Sequence, residues 1–143
     1  MILVDANLLL YAVNRDLPQH AQARAWLESV LSGPERVGLP WVVVLAFLRI
    51  TTSLRIFERP LSIEQASAYV DAWLSLPIVR PVVPGQGHWP IVRNLLETSG
   101  TGGNLTTDAH IAALALEQGY TIYSADNDFK RFAGLRHVNP LMA

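Results

Sequence analysis

The chain opens on Met1-Ile2-Leu3-Val4, an unbroken apolar and partly β-branched run that stops at a carboxylate, Asp5, and soon resumes as Leu8-Leu9-Leu10. A short run without polar alternation suits a strand buried on both faces, as in a parallel sheet covered by helices. Parallel strands need crossover connections, so helices must alternate with strands along the rest of the chain. The later segments read that way. Ala23, Trp26, Leu27, Val30 and Leu31 repeat at helical spacing after Pro18 and stop at Gly33-Pro34, and an apolar helix is expected from about Trp41 to Arg55. Ser62 and Gln65 form a capping-box pattern ahead of Ala66, Val70, Trp73 and Leu74. Pro77, Pro81, Pro84 and Pro90 bracket Ile78-Val79 and Val82-Val83 as a short strand, followed by a helix around Ile91 to Glu97. After a glycine-rich loop over 98–107, Thr106 or Thr107 is expected to cap a helix from Asp108 to Leu116, with Gly119 closing it. Thr121-Ile122-Tyr123 is a strand, 124–128 a turn, and Val138 part of a last short strand. The expected class is α/β, a mostly parallel central sheet flanked by helices in one domain spanning 1–143.

Composition narrows the chemistry. The 143 residues are 50% hydrophobic and 16% charged, enough to bury a single full core. Eleven Lys+Arg against twelve Asp+Glu give a net charge of −1, which argues against a purely electrostatic polyanion binder. The absence of cysteine excludes disulfides, thiolate zinc sites and cysteine nucleophiles, so any metal must be held by oxygen or imidazole. The longest charge-free apolar stretch, Val37 to Leu48, is well short of the ~20 residues of a membrane-spanning helix and carries Gly38 and Pro40. The N-terminus lacks the basic segment of a secretory signal, so a cytoplasmic location is expected.

Four acids sit where the pattern makes them costly: Asp5 at the end of the first strand, Asp108 in the first turn of a buried helix, and Asp126 and Asp128 after the Thr121 strand. In open α/β sheets ligands bind at the carboxyl ends of the strands, where Asp5 and Asp126 fall. Carboxylates brought within ~4–6 Å of one another either raise a pKa or call for a cation between them. Each acid also has a structural reading: Asp108 could complement the helix dipole, and Asp128 could be a turn residue or an N-cap for Phe129-Lys130-Arg131-Phe132. An all-oxygen cluster selects a hard cation, Mg²⁺ or Mn²⁺, whose chemistry is chiefly that of phosphates.

Met1-Ile2-Leu3-Val4-Asp5-Ala6-Asn7-Leu8-Leu9, Thr107-Asp108-Ala109-His110-Ile111-Ala112-Ala113-Leu114-Ala115 and Tyr123-Ser124-Ala125-Asp126-Asn127-Asp128-Phe129 together resemble a PIN-domain protein. More narrowly, the chain is similar to the VapC toxins of bacterial toxin–antitoxin pairs. The resemblance covers essentially the whole chain and implies a PIN-like three-layer fold. It further implies a Mg²⁺- or Mn²⁺-dependent endoribonuclease acting on structured RNA such as tRNA or rRNA, restrained by a VapB-type antitoxin and homodimeric. Carried over position by position, Asp5, Asp108 and Asp126 match the metal-binding catalytic acids. Asp128 matches an acidic position beside them, and Asn7 and Thr107 match small polar positions that hold water or a carboxylate. One departure stands out. Where the family commonly places a glutamate on the helix after the second strand, this chain puts Phe47. That motivates an alternative, a catalytically silent PIN-like module that binds RNA or a partner, and an expectation that Phe47→Glu would tighten Mn²⁺ binding.

Other motifs say less. Gly102-Gly103-Asn104 lacks the lysine of a phosphate loop. A haloacid-dehalogenase-like phosphatase would need an aspartate where Asn7 stands and a catalytic lysine that is not evident. His20, His88, His110 and His137 show no metal-binding spacing, and the four tryptophans read first as core or dimer contacts. Arg49, Arg55 and Arg59 crowd one region and could hold RNA or an antitoxin tail, or simply form a solvated face. Setting the four site acids aside leaves eight acids against eleven bases, so the rest of the chain carries +3.

Overall fold

In the computed structural model, which describes residues 1–142, five short strands form one sheet. They are β1 (Ile2–Val4), β2 (Val37–Pro40), β3 (Val79–Val82), β4 (Thr121–Tyr123) and β5 (His137–Val138), all parallel, in the order β3-β2-β1-β4-β5. β1 is central and fully buried, as its unbroken apolar run requires. Six helices flank the sheet: α1 (Ala6–Val13), α2 (His20–Leu31), α3 (Trp41–Thr51), α4 (Ile63–Leu74), α5 (His88–Ser99) and α6 (Leu105–Gln118). α1 packs on α2 and α3, α3 on α4, and α5 on α6. A 3-10 helix, Asn127–Arg131, follows β4. No helix among the described residues is long and apolar enough to cross a membrane.

The sequence hid β2. Its Val37-Gly38-Leu39-Pro40 contains two residues that ordinarily punctuate structure, and both have local causes here. A Cβ on Gly38 would lie 2.6 Å from Val82 Cγ2 and 2.9 Å from Tyr120 Cε1, so only glycine lets β3 and the start of β4 close over this strand. Pro40 ends the strand in extended backbone and leads directly into α3. Pro81 is tolerated because β3 is an edge strand.

Several expected boundaries move. α3 stops at Thr51 rather than Arg55: Leu61 N–H donates to the Thr51 carbonyl (2.9 Å), and Arg55 lies in the connection to α4. α5 begins at His88, which puts Pro90 in the first turn, where its missing N–H costs nothing. α6 begins at Leu105. Leu105 and Thr106 N–H groups donate to Gly102 and Gly103 carbonyls (both 3.1 Å), so neither threonine is the cap and Asp108 sits at the fourth helical position. The Ser62 capping box is formed as expected, with Ser62 Oγ accepting from Gln65 N–H at 3.1 Å and Gln65 Oε1 from Ser62 N–H at 3.0 Å.

Candidate active site

β1 and β4 are neighbours in register, Val4 beside Tyr123, so their carboxyl ends deliver Asp5 and Ser124 to one place. Asp5 caps α1. Its Oδ1 accepts the Ala6 N–H at 2.8 Å, and Oδ2 accepts the Ser124 hydroxyl at 2.7 Å and the Asn7 amide at 3.4 Å. The carboxylate is nearly buried, and that burial pushes its pKa up from 3.8, opposed by the Ser124 and Ala6 hydrogen bonds and reinforced by the nearby Asp126 charge.

Ser124 ties this end of the site together. Fully buried, its Oγ donates to Asp5 and accepts from Asn7 Nδ2 (3.2 Å) and from the Asp126 N–H (3.0 Å), which uses the hydroxyl's whole capacity. Its backbone carbonyl accepts from His137 Nε2 at 3.0 Å, which assigns that nitrogen the proton. Asn7 completes the bracket, since its Oδ1 accepts the Ala125 N–H at 3.2 Å. Asn7 thus touches the Asp5 carboxylate, the Ser124 hydroxyl and the Ala125 backbone. Thr107, in contrast, is exposed and its side chain makes no hydrogen bond among the described residues. The role of Ser124 escaped the sequence reading because its partners lie far away along the chain.

Asp126 caps the 3-10 helix, its Oδ1 accepting the Asp128 N–H at 2.9 Å. The N-cap role expected of Asp128 thus belongs to Asp126, and Asp128 is left free to face its neighbours. Asp108 comes from the first turn of α6. One oxygen each from Asp108, Asp126 and Asp128 lie within 4.8 Å of one another. Asp108 is half-buried and its pKa is raised from 3.8 to about 7, first by desolvation and then by the charges of Asp126, Asp5 and Asp128. That coupling joins all four acids in one electrostatic unit. The closest triad contains Asp128, while Asp5 stands behind it with both oxygens hydrogen-bonded.

The donor set fits a hard divalent cation. Two oxygens on one ion can be no farther apart than twice the bond length, roughly 4–5 Å for Mg²⁺ to Ca²⁺, and the triad, within 4.8 Å, falls inside the upper end of that range. Three acids and no nitrogen or sulfur match the preference of Mg²⁺ and Mn²⁺.

Phe47 lies on α3, the helix after the second strand, as the sequence reading placed it. Its ring is fully buried in the core, edge-on to Trp73 of α4 with centroids 5.0 Å apart. In this chain it is a packing residue. Arg49 closes the last turn of α3, and Arg55 and Arg59 follow in the 52–62 connection. Arg59 lines a cavity of about 330 Å³ with Arg15, Asp16 and Tyr69, and none of the four candidate acids lines it. His88 Nε2 and His110 Nδ1 share a hydrogen bond at 2.8 Å between α5 and α6.

Residues 2–135 match the PIN domain, and the chain belongs to the PIN-domain family. It is 46% identical to ribonuclease VapC37 of Mycobacterium tuberculosis over 140 residues, covering 98% of this chain and 97% of that protein. Ribonuclease VapC33 of the same species is 45% identical over 141 residues, 99% of each chain. Within the family the chain groups with these VapC proteins. Among solved structures, Mycobacterium tuberculosis VapC20, a sarcin-ricin-loop-cleaving toxin, superposes with a TM-score of 0.69 at 20% identity over 95% of this chain and 99% of that one. The Rickettsia felis VapBC2 complex bound to a promoter DNA fragment gives 0.71 at 20% identity, covering 97% and 98%. These two share the fold.

Proposed function

We propose that this protein is the endoribonuclease toxin of a VapBC-type pair, hydrolysing RNA phosphodiester bonds in tRNA or rRNA in the cytoplasm with Mg²⁺ or Mn²⁺. The observation that carries the reading is the electrostatically coupled acid cluster at the ends of β1 and β4, in a chain 46% identical to a VapC ribonuclease. Asp108, Asp126 and Asp128 would hold the ion, with Asp5 adding negative charge from behind. Such an ion supplies Lewis-acid activation of water and screening of the phosphate. The chain's own contribution is placement. Ser124 and Asn7 fix Asp5, and Ser124 fixes the Asp126 backbone, so the acids face one point without rearrangement.

The partners this reading implies are an RNA substrate, a VapB-type antitoxin and a second copy of the chain. Arg49, Arg55 and Arg59, unpaired with any acid among the described residues, remain candidates for RNA or antitoxin contact away from the cluster. No observation favours the silent-module alternative, and the four acids with shared electrostatics support the enzyme reading instead. Incubating the pure protein with total tRNA and rRNA tests the proposal. Cuts that need Mn²⁺, stop with EDTA and vanish in Asp5→Asn and Asp126→Asn support it; RNA binding without cleavage under every metal condition overturns it.

A further inference from the structure

The 3-10 helix that follows β4 presents a cation, Arg131, to the acid cluster. In a 3-10 helix side chains three residues apart eclipse one another, so Asn127–Arg131 offers distinct edges. One edge is anchored: Phe129, and Phe132 just past the helix, are both buried, with ring centroids 6.3 Å apart. Another carries Asp128 and Arg131. Arg131 Nε lies 3.8 Å from Asp128 Oδ1, too long for a hydrogen bond, and both side chains are more than half exposed. As a stabilising ion pair this is poor. As a placement it is specific, because it is the one ion pair to a cluster acid among the described residues.

Charge says what the guanidinium is for. Three ionised carboxylates around a divalent cation leave a net −1, which repels an incoming phosphodiester. Arg131 brings the local sum to zero. A guanidinium's planar fork matches two phosphate oxygens. We propose that Arg131 is a substrate-binding residue of this site, its guanidinium taking the RNA backbone phosphate that lies against the Asp108–Asp126–Asp128 cluster. This rests on the ribonuclease reading given above.

Lys130 supplies the control. It is exposed, carries the same charge and is adjacent in sequence, but it lies on a different edge of the helix from Asp128. Arg131→Ala, Arg131→Lys and Lys130→Ala should be compared with the wild-type chain in two assays: cleavage of unfractionated tRNA with Mn²⁺, and fluorescence anisotropy of labelled tRNA with Ca²⁺ in place of Mn²⁺, across a salt series. Arg131→Ala is expected to weaken tRNA binding and kcat/KM by roughly tenfold or more, the scale of a lost charged hydrogen bond. It should also flatten the logarithmic salt slope by about 0.7–0.9, the signature of one phosphate contact. Arg131→Lys should keep the slope but recover only part of the affinity, while Lys130→Ala stays within about twofold of wild type. Equal losses in Arg131→Ala and Lys130→Ala, or an unchanged affinity and salt slope in Arg131→Ala, overturn the proposal and leave the ribonuclease reading standing. A wild-type chain that neither binds nor cuts RNA overturns both.

Discussion

Replacing Asp108 by asparagine should stabilise the cation-free protein at pH 8 while abolishing its response to Mn²⁺. The Asp108 carboxyl titrates at about 7 in the fold against 3.8 in a model chain. Between those values the native state binds a proton that the unfolded chain has already released, so stability falls as pH rises from about 4 to about 7. The shift is close to 3 units, which at 1.36 kcal/mol per unit sets a ceiling of roughly 4 kcal/mol. Asp108 is only half-buried, and solvent screening brings the realistic penalty to about 1–2 kcal/mol. For a domain of this size that corresponds to roughly 3–8 °C in melting temperature. Thermal melts in EDTA from pH 5 to pH 8 make the measurement. Wild type should lose stability over that interval, and Asp108→Asn should lose less and melt higher at pH 8. Mn²⁺ should raise the wild-type melting temperature as RT ln(1 + [L]/Kd) and leave the variant unmoved. An Asp108→Asn chain that melts below wild type at pH 8, or that repeats its pH profile, would refute the claim that burial, reinforced by the neighbouring acids, penalises the ionised Asp108.

Ser124→Ala removes a buried hydroxyl with three partners and leaves Asn7 Nδ2 and the Asp126 N–H short of an acceptor; a loss of about 1–3 kcal/mol in urea unfolding is expected, together with a fall in kcat. Phe47→Glu would bury a carboxylate against Trp73, so chemical denaturation should show a loss of at least ~3 kcal/mol and calorimetry no gain in Mn²⁺ affinity. Gly38→Ala forces a methyl against Val82 and Tyr120, and the overpacking should cost about 1–3 kcal/mol in the same assay. Ser62→Ala, which opens the capping box of α4, should cost about 1 kcal/mol and leave RNA cleavage unchanged.

What the chain announced and what it concealed divide along a physical line. Asp5, Asp108 and Asp126 stood out because each interrupts an apolar pattern, and a carboxylate that breaks such a pattern carries a desolvation cost that wants a reason. Ser124 has no such cost to advertise. Its partners Asp5 and Asn7 lie 119 and 117 residues away, and a buried serine looks like any small residue until the strands are paired. Asp128 was read mainly as a cap because Asx turns are local, yet the structure gives that turn to Asp126 and frees Asp128 for the triad. Phe47 was legible as a helical position after the second strand, but that its ring packs edge-on to Trp73 in the core depends on α4, which lies well along the chain. β2 was masked by Gly38 and Pro40, whose reasons are contacts with Val82, Tyr120 and α3 rather than anything in their own tetrapeptide.

The same division explains a net charge that first argued against nucleic acid. The sum of −1 joins four acids gathered at one point to a remainder of eight acids and eleven bases. A phosphodiester meets those parts separately, because over ~8–10 Å of screening length only the nearby charges act. Without a cation the pocket repels RNA; with one, the remaining repulsion is opposed by Arg131, the ion-pair partner of Asp128. Cation binding and RNA binding should therefore be coupled: Mn²⁺ tightens RNA binding, and RNA tightens Mn²⁺ binding by the same factor. That reciprocity is a property of where the charges lie, and no total composition could have displayed it.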